Sequence, residues 1–289
     1  MPPDRTLDGT GVWSPELRYG DPSEAADLAA ELEALGFSAL WVPVVGGVLF
    51  GSLEHLLRSS SRAVIATGFL NVWMHTAADV GAWRQGLDDD ERDRLLLGIG
   101  VSHAMLIDAQ PGMSWTRPLA TMRTYLDAMD EAGIPTDARC VAALGPKMLE
   151  LARDRSAGAH PYLVTPEHTA IARDTLGDGA LLAVEQGVVL DTDADAARAV
   201  AREALGVYAM LPNYTNNWLR LGFTEADVQG LSNRLVDALV AWGDADAIAA
   251  RVQAHRDAGA DHVCVQHLAA RGAKVDRQRW RVLADALVN

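Results

Sequence analysis

Lysine is nearly missing from this chain: among 289 residues it occurs at positions 147 and 274 alone, and arginine supplies the other cations. Acidic side chains outnumber basic ones, 39 to 25, for a formal net charge of −14. Such a protein is a poor ligand for nucleic acid or an anionic bilayer, because both are polyanions. Cysteine is equally scarce. Cys140 and Cys264 each stand in an apolar run, RCVAAL and HVCVQ. Two isolated thiols make neither a disulfide framework nor a zinc-ligand spacing, so both read as buried free cysteines. No apolar run reaches the ~20 residues needed to span a bilayer. The opening MPPDRTLDGTG has no basic-then-apolar leader. The expectation is a cytoplasmic protein that handles a small-molecule substrate, with no nucleic acid and no membrane as partner.

What is present is a globular composition, 49% hydrophobic and 22% charged, at a length that suits one large domain, 1–289. Short apolar runs alternate with helical patterns from end to end. GVWS, SALWVPV, RAVIATGFLNVW, LLLGIGV, RCVAALG, AHPYLV, ALLAVEQGVVL and DHVCVQHL read as strands. Each is followed by apolar residues at helical spacing, as in PSEAADLAAELEALGF and TPEHTAIARDTLG. The strands are apolar throughout, as in a sheet covered on both faces. This order predicts an α/β fold, a (β/α)8 TIM-like barrel, with an open doubly wound sheet as runner-up. One stretch breaks the rhythm: residues 211–243 read as a helical insertion before the last strand. Its NYTNNW run is polar and aromatic together. It is either a surface excursion or a flap over the barrel mouth, and in the second case Tyr214 and Trp218 would meet the substrate.

Barrel sites lie at the C-terminal ends of the strands. Those ends carry glycine, apolar and aromatic residues with a few histidines and Asn71. No Asp/Glu/His cluster has metal-ligand spacing, so no metal is expected. No G-x-S-x-G elbow appears, which gives acyl transfer little support. A lining of glycine and aromatics suits a large planar cofactor. In LLLGIGVSHAML the third glycine of a dinucleotide fingerprint would fall at 103, where His103 stands. The Leu144-Gly145-Pro146-Lys147 turn opens a helix and carries a cation, so it is the better anion candidate; it could also be an ordinary strand-to-helix turn.

Several stretches in order, GVWSPELRYGDP, LWVP, ATGFLNVWMH, LLLGIGVSHA, AALGPKMLELA, AHPYLVTPEHTA, LPNYTNNWLRLGF, RLVDALVAWGD and GADHVCVQ, resemble the luciferase-like monooxygenase superfamily. More narrowly they resemble its coenzyme F420-dependent oxidoreductases of actinobacterial type. The resemblance implies a TIM-like barrel, often a homodimer, and a non-prolyl cis peptide at Gly68-Phe69 behind a deazaflavin ring. It places Asn71 near that ring and the Leu144–Lys147 turn at the cofactor's ribityl or phosphate portion; with it, Val101 and Ser102 read as standing beside the ring, and His160 as lining the cofactor side or packing under proline. It implies hydride transfer between F420 and a small organic substrate; FMN with oxygen is the alternative, and a cofactor-binding barrel without turnover a third. Two departures stand out. Val44 and Val45 occupy the place of an acidic residue and a histidine, and His103 that of a glutamate acid/base, so a sugar-phosphate substrate is not carried over.

His103 is expected to be catalytic, because a histidine near its ordinary pKa gives and takes protons close to neutral pH. Trp13, Trp73 and His75 are candidates for the substrate side; plain packing is the other reading of the two tryptophans, and capping a helix that of His75.

Overall fold

The computed structural model describes residues 7–46, 49–270, 272–273 and 276–288. Ten strands are present among them: β1 (Thr10–Trp13), β2 (Ala39–Val42), β3 (Val64–Thr67), β4 (Leu70–Asn71), β5 (Leu95–Gly100), β6 (Arg139–Val141), β7 (Gly158–Ala159), β8 (Leu181–Leu190), β9 (Val240–Gly243) and β10 (His262–His267). All pair in parallel, in the order β10-β1-β2-β3-β5-β6-β7-β8. Pairing of β10 with β8 closes the ring, Cys264 opposite Glu185. The result is the eight-stranded (β/α)8 barrel. The third strand is broken in two, since β4 continues β3 after residues 68–69 and pairs with β5.

The helices start where local chemistry dictates. Asp21 accepts from the backbone N–H groups of Ser23 and Glu24 ahead of helix Pro22–Ala34. Thr165 does the same for His168 N–H ahead of helix Pro166–Leu176. In both, proline stands in the first turn, where its missing N–H costs nothing.

Between barrel and helices lies the main apolar core, with Leu40, Ile65, Leu97 and Val184 among its members. The barrel interior is filled differently. Ala39, Ala66, Cys140, Ala183 and Cys264 are small and surround the large side chain of Trp41, all fully buried. Both cysteines are buried and free. No helix among the described residues is long and apolar enough to cross a membrane.

The 211–243 segment differs from a purely helical reading. It forms helices Pro212–Arg220, Glu225–Gly230 and Asn233–Leu239, then β9, which pairs with β8 from Gly187↔Val240 to Leu190↔Gly243. Four apolar residues directly after a helix carry no turn signal. What makes them a strand is β8, which outruns β7 and leaves an edge to cover.

Candidate active site

A cavity of about 590 Å³ opens at the C-terminal ends of the strands, within the usual range for small-molecule sites. Its floor begins where the third strand breaks. The Gly68-Phe69 peptide is cis, at the position the resemblance implies. Phe69 presses on β5, and two glycines there make room. A Cβ at Gly98 would stand 1.9 Å from Thr67 O, and one at Gly100 3.2 Å from Phe69 Cβ. Beyond them the indole N–H groups of Trp73 and Trp115 both donate to Val101 O, each at 3.0 Å. Asn71 Oδ1 accepts from Trp73 N–H at 3.0 Å. Phe69, Val101 and Ala142 thus form a fixed apolar wall.

The chain leaves β5 through Ser102, which has φ 57°, in the left-handed region that few non-glycine residues enter. That turn sets His103 at the start of a short helix, Ala104–Ile107, without a side-chain cap bond. The imidazole lines the cavity, its ring 5.6 Å from that of Tyr214. Its Nδ1 is buried without a partner. Burial lowers its pKa from the ordinary value, so the ring is neutral at pH 7.

The adjoining wall is made by residues after β7. His160 is fully buried, stacked on Trp41 at 3.9 Å between ring centroids and 5.1 Å from Phe69. Its Nδ1–H donates to Ala183 O at 2.7 Å, which leaves Nε2 as a bare acceptor. Burial pushes its pKa down to about 4, so it too is neutral. Tyr162 O–H donates to Gln266 Oε1 at 2.7 Å and lies 3.3 Å from Tyr208 O–H.

The Leu144-Gly145 turn closes the third side. His168 Nε2–H donates to Leu144 O at 2.9 Å. Gly145 precedes helix Pro146–Arg155, whose first N–H groups have no side-chain cap. The cation beside this turn is Arg220, whose guanidinium lies 3.8 Å from where a Gly145 Cβ would be. Lys147 and Pro146 are exposed and outside the cavity lining. Arg220 escapes a strand-end reading because it arrives on helix Pro212–Arg220. A signal for it exists in the sequence: Asn213, Asn216 and Arg220 recur at helical spacing, and all three line the cavity.

The structure therefore brings together Trp13, Gly68, Phe69, Asn71, Val101, Ser102, His103, Leu144, Gly145, His160 and Tyr214. Three others stand back from the lining. Trp73 braces Val101, and His75 packs against Phe50, its carbonyl accepting from Tyr125 O–H at 2.8 Å. Trp218 is fully buried, its indole N–H donating to Leu163 O at 3.2 Å. Val44, Val45, Leu106, Val207 and Leu211 add apolar side chains to the lining. Among the described residues no His, Cys, Asp and Glu group is arranged to hold a metal.

Residues 6–133 match the family model of the luciferase-like monooxygenases. Solved structures of the same fold include an F420-dependent secondary alcohol dehydrogenase in complex with an F420–acetone adduct. It is 14% identical, with a TM-score of 0.75, covering 97% of this chain and 98% of that one. The F420-dependent tetrahydromethanopterin reductase of Methanopyrus kandleri is 16% identical at TM-score 0.69, covering 97% and 98%. The oxygenating constituent of the Pseudomonas putida 3,6-diketocamphane monooxygenase, solved with FMN, is 11% identical at TM-score 0.69, with the same coverage. At these identities the likeness is one of fold. No curated protein matches the chain.

Proposed function

We propose that the chain is a coenzyme F420-dependent oxidoreductase of the luciferase-like monooxygenase superfamily, acting on a small organic substrate; the match of residues 6–133 to that family's model and the shared barrel fold support this reading. The observation that carries this reading is the partly buried His103 lining a cavity beside an apolar, glycine-backed wall. A tricyclic ring needs such a wall, and the Gly98 and Gly100 close approaches leave one between Phe69 and Val101. The resident residues fit the group. Phe69, Val101 and Ala142 would support the ring's face, and Asn71 its edge. The Gly145 helix start and Arg220 would hold its phosphate-bearing arm. When bound, the deazaflavin supplies a carbon that accepts or gives hydride.

The chain's own contribution is placement and proton handling. Val44, Val45, Leu106, Val207 and Leu211 pack against the apolar part of the substrate and keep water away. His103 faces the substrate's oxygen and takes the proton of a hydroxyl group, a role that needs the neutral imidazole. Tyr214 stands beside it as the second polar group at that oxygen. The FMN-bound relative supports a second reading, an FMN-dependent monooxygenase on the same wall.

Titration of F420 and of FMN against tryptophan fluorescence tests the assignment, since Trp13 and Trp115 line the cavity. Saturable quenching by F420 and none by FMN is expected. The reverse moves the chain to the second reading, and quenching by neither overturns both.

A further inference from the structure

Glu185 is a buried carboxyl inside the upper barrel that the proposed chemistry leaves unused. It lies on β8, 1% exposed, and shares its side of the strand with Ala183, which points into the barrel. Its role comes from how β7 fails to continue. The β7–β8 register, Ala159 opposite Leu182, would have residue 161 donate next to Ala183 O and residue 163 to Glu185 O. Residue 161 is proline and has no N–H. The Ala183 carbonyl is taken instead by His160 Nδ1–H. Glu185 N–H still donates to Pro161 O at 3.1 Å. Then Leu163 turns the chain away, with φ 54°. Its N–H lands on the side chain of Glu185, on Oε2 at 3.2 Å. Its carbonyl accepts from Trp218 on helix Pro212–Arg220. A side chain thus replaces the backbone acceptor where the strand departs, and the same residue anchors the helix that caps the cavity.

We infer that Glu185 is a positioning residue: through the left-handed Leu163 it sets Tyr162 and holds the 212–220 helix over the cavity, with Tyr214 beside His103. The carboxyl does this as a neutral acid. Its other oxygen, Oε1, has no partner, and burial pushes its pKa up to about 8. The titratable groups facing it are Tyr162, Tyr208, Tyr214 and Cys264, all held above their ordinary values by burial. Glu185 is therefore the first of this group to ionise as pH rises. A bare charge there must be solvated, and the route to water is to open the wall.

Amide hydrogen exchange on the full chain tests this without any cofactor, so it stands or falls apart from the proposed activity. In Glu185→Leu, residues 208–220 are expected to exchange at least tenfold faster at pH 7 while β5 is unchanged; unaltered protection at 208–220 overturns the inference. Should that variant fail to fold, a pH series decides. After correction for intrinsic exchange, the natural chain is expected to lose protection at 208–220 between pH 7 and 9, and Glu185→Gln to keep it. Equal behaviour of the two across that range overturns the inference.

Discussion

The chain leaves β5 and β7 by the same device. Each exit passes through a non-glycine residue in the left-handed region, Ser102 at φ 57° and Leu163 at φ 54°. Beyond those residues the two exits diverge. After Ser102 comes His103, with a neutral ring whose Nδ1 has no partner. Leu163 is bonded on both sides, N–H to Glu185 and carbonyl to Trp218. One exit presents a titratable side chain to the cavity, and the other is a fixed wall. A site needs both, since a proton-transfer group works only if the surface opposite holds the substrate against it.

The sharpest break of this contrast is His103→Ala. It is expected to lower kcat roughly 10²–10⁴-fold, the usual range for a lost acid–base group, with F420 affinity within about threefold of the natural chain. The natural chain's turnover is also expected to fall on the acid side with a midpoint below 6.5, because burial lowers this imidazole's pKa. Protonation then removes the base as pH drops, and the variant lacks that limb.

Leu163→Gly comes next. Glycine relieves the left-handed backbone but deletes a buried side chain, 5% exposed, from the core beneath the capping helix. Urea denaturation is expected to show a net loss of about 2–4 kcal/mol.

The two exits also differ in how far sequence announces them. The barrel was legible, because apolar runs and helical spacing are local. So was the β5 exit: GIGVSH reports its glycines and histidine within six residues. The β7 exit was not. Its partners are Glu185 and Trp218, 22 and 55 residues away, and no local pattern links them to Leu163. The same distance hid Arg220, while Lys147, adjacent to the glycine turn, drew attention and lies outside the lining. The strand at 240–243 was hidden for a related reason, since only the unpaired end of β8 makes it one.

Arg220→Ala sharpens the anion-binding part. The expected outcome is about tenfold weaker F420 binding in titration, a charge-assisted contact at the surface being worth about 1.4 kcal/mol. Lys147→Ala is expected to change affinity less than twofold. The smallest effect belongs to Ser102→Gly. Glycine adopts the left-handed turn without steric cost, and Ser102 buries little side chain, so stability is expected to rise by about 0.5–1 kcal/mol. The opposite signs expected at positions 102 and 163 separate a turn that only aims a side chain from one that also holds a wall.

The most direct test of the central claim is a crystal structure of the chain with F420. The deazaflavin ring is expected in van der Waals contact with Phe69 and Val101, its reacting edge open toward His103 and Tyr214. A ring seated elsewhere, or one that leaves His103 behind its closed face, would contradict the claim.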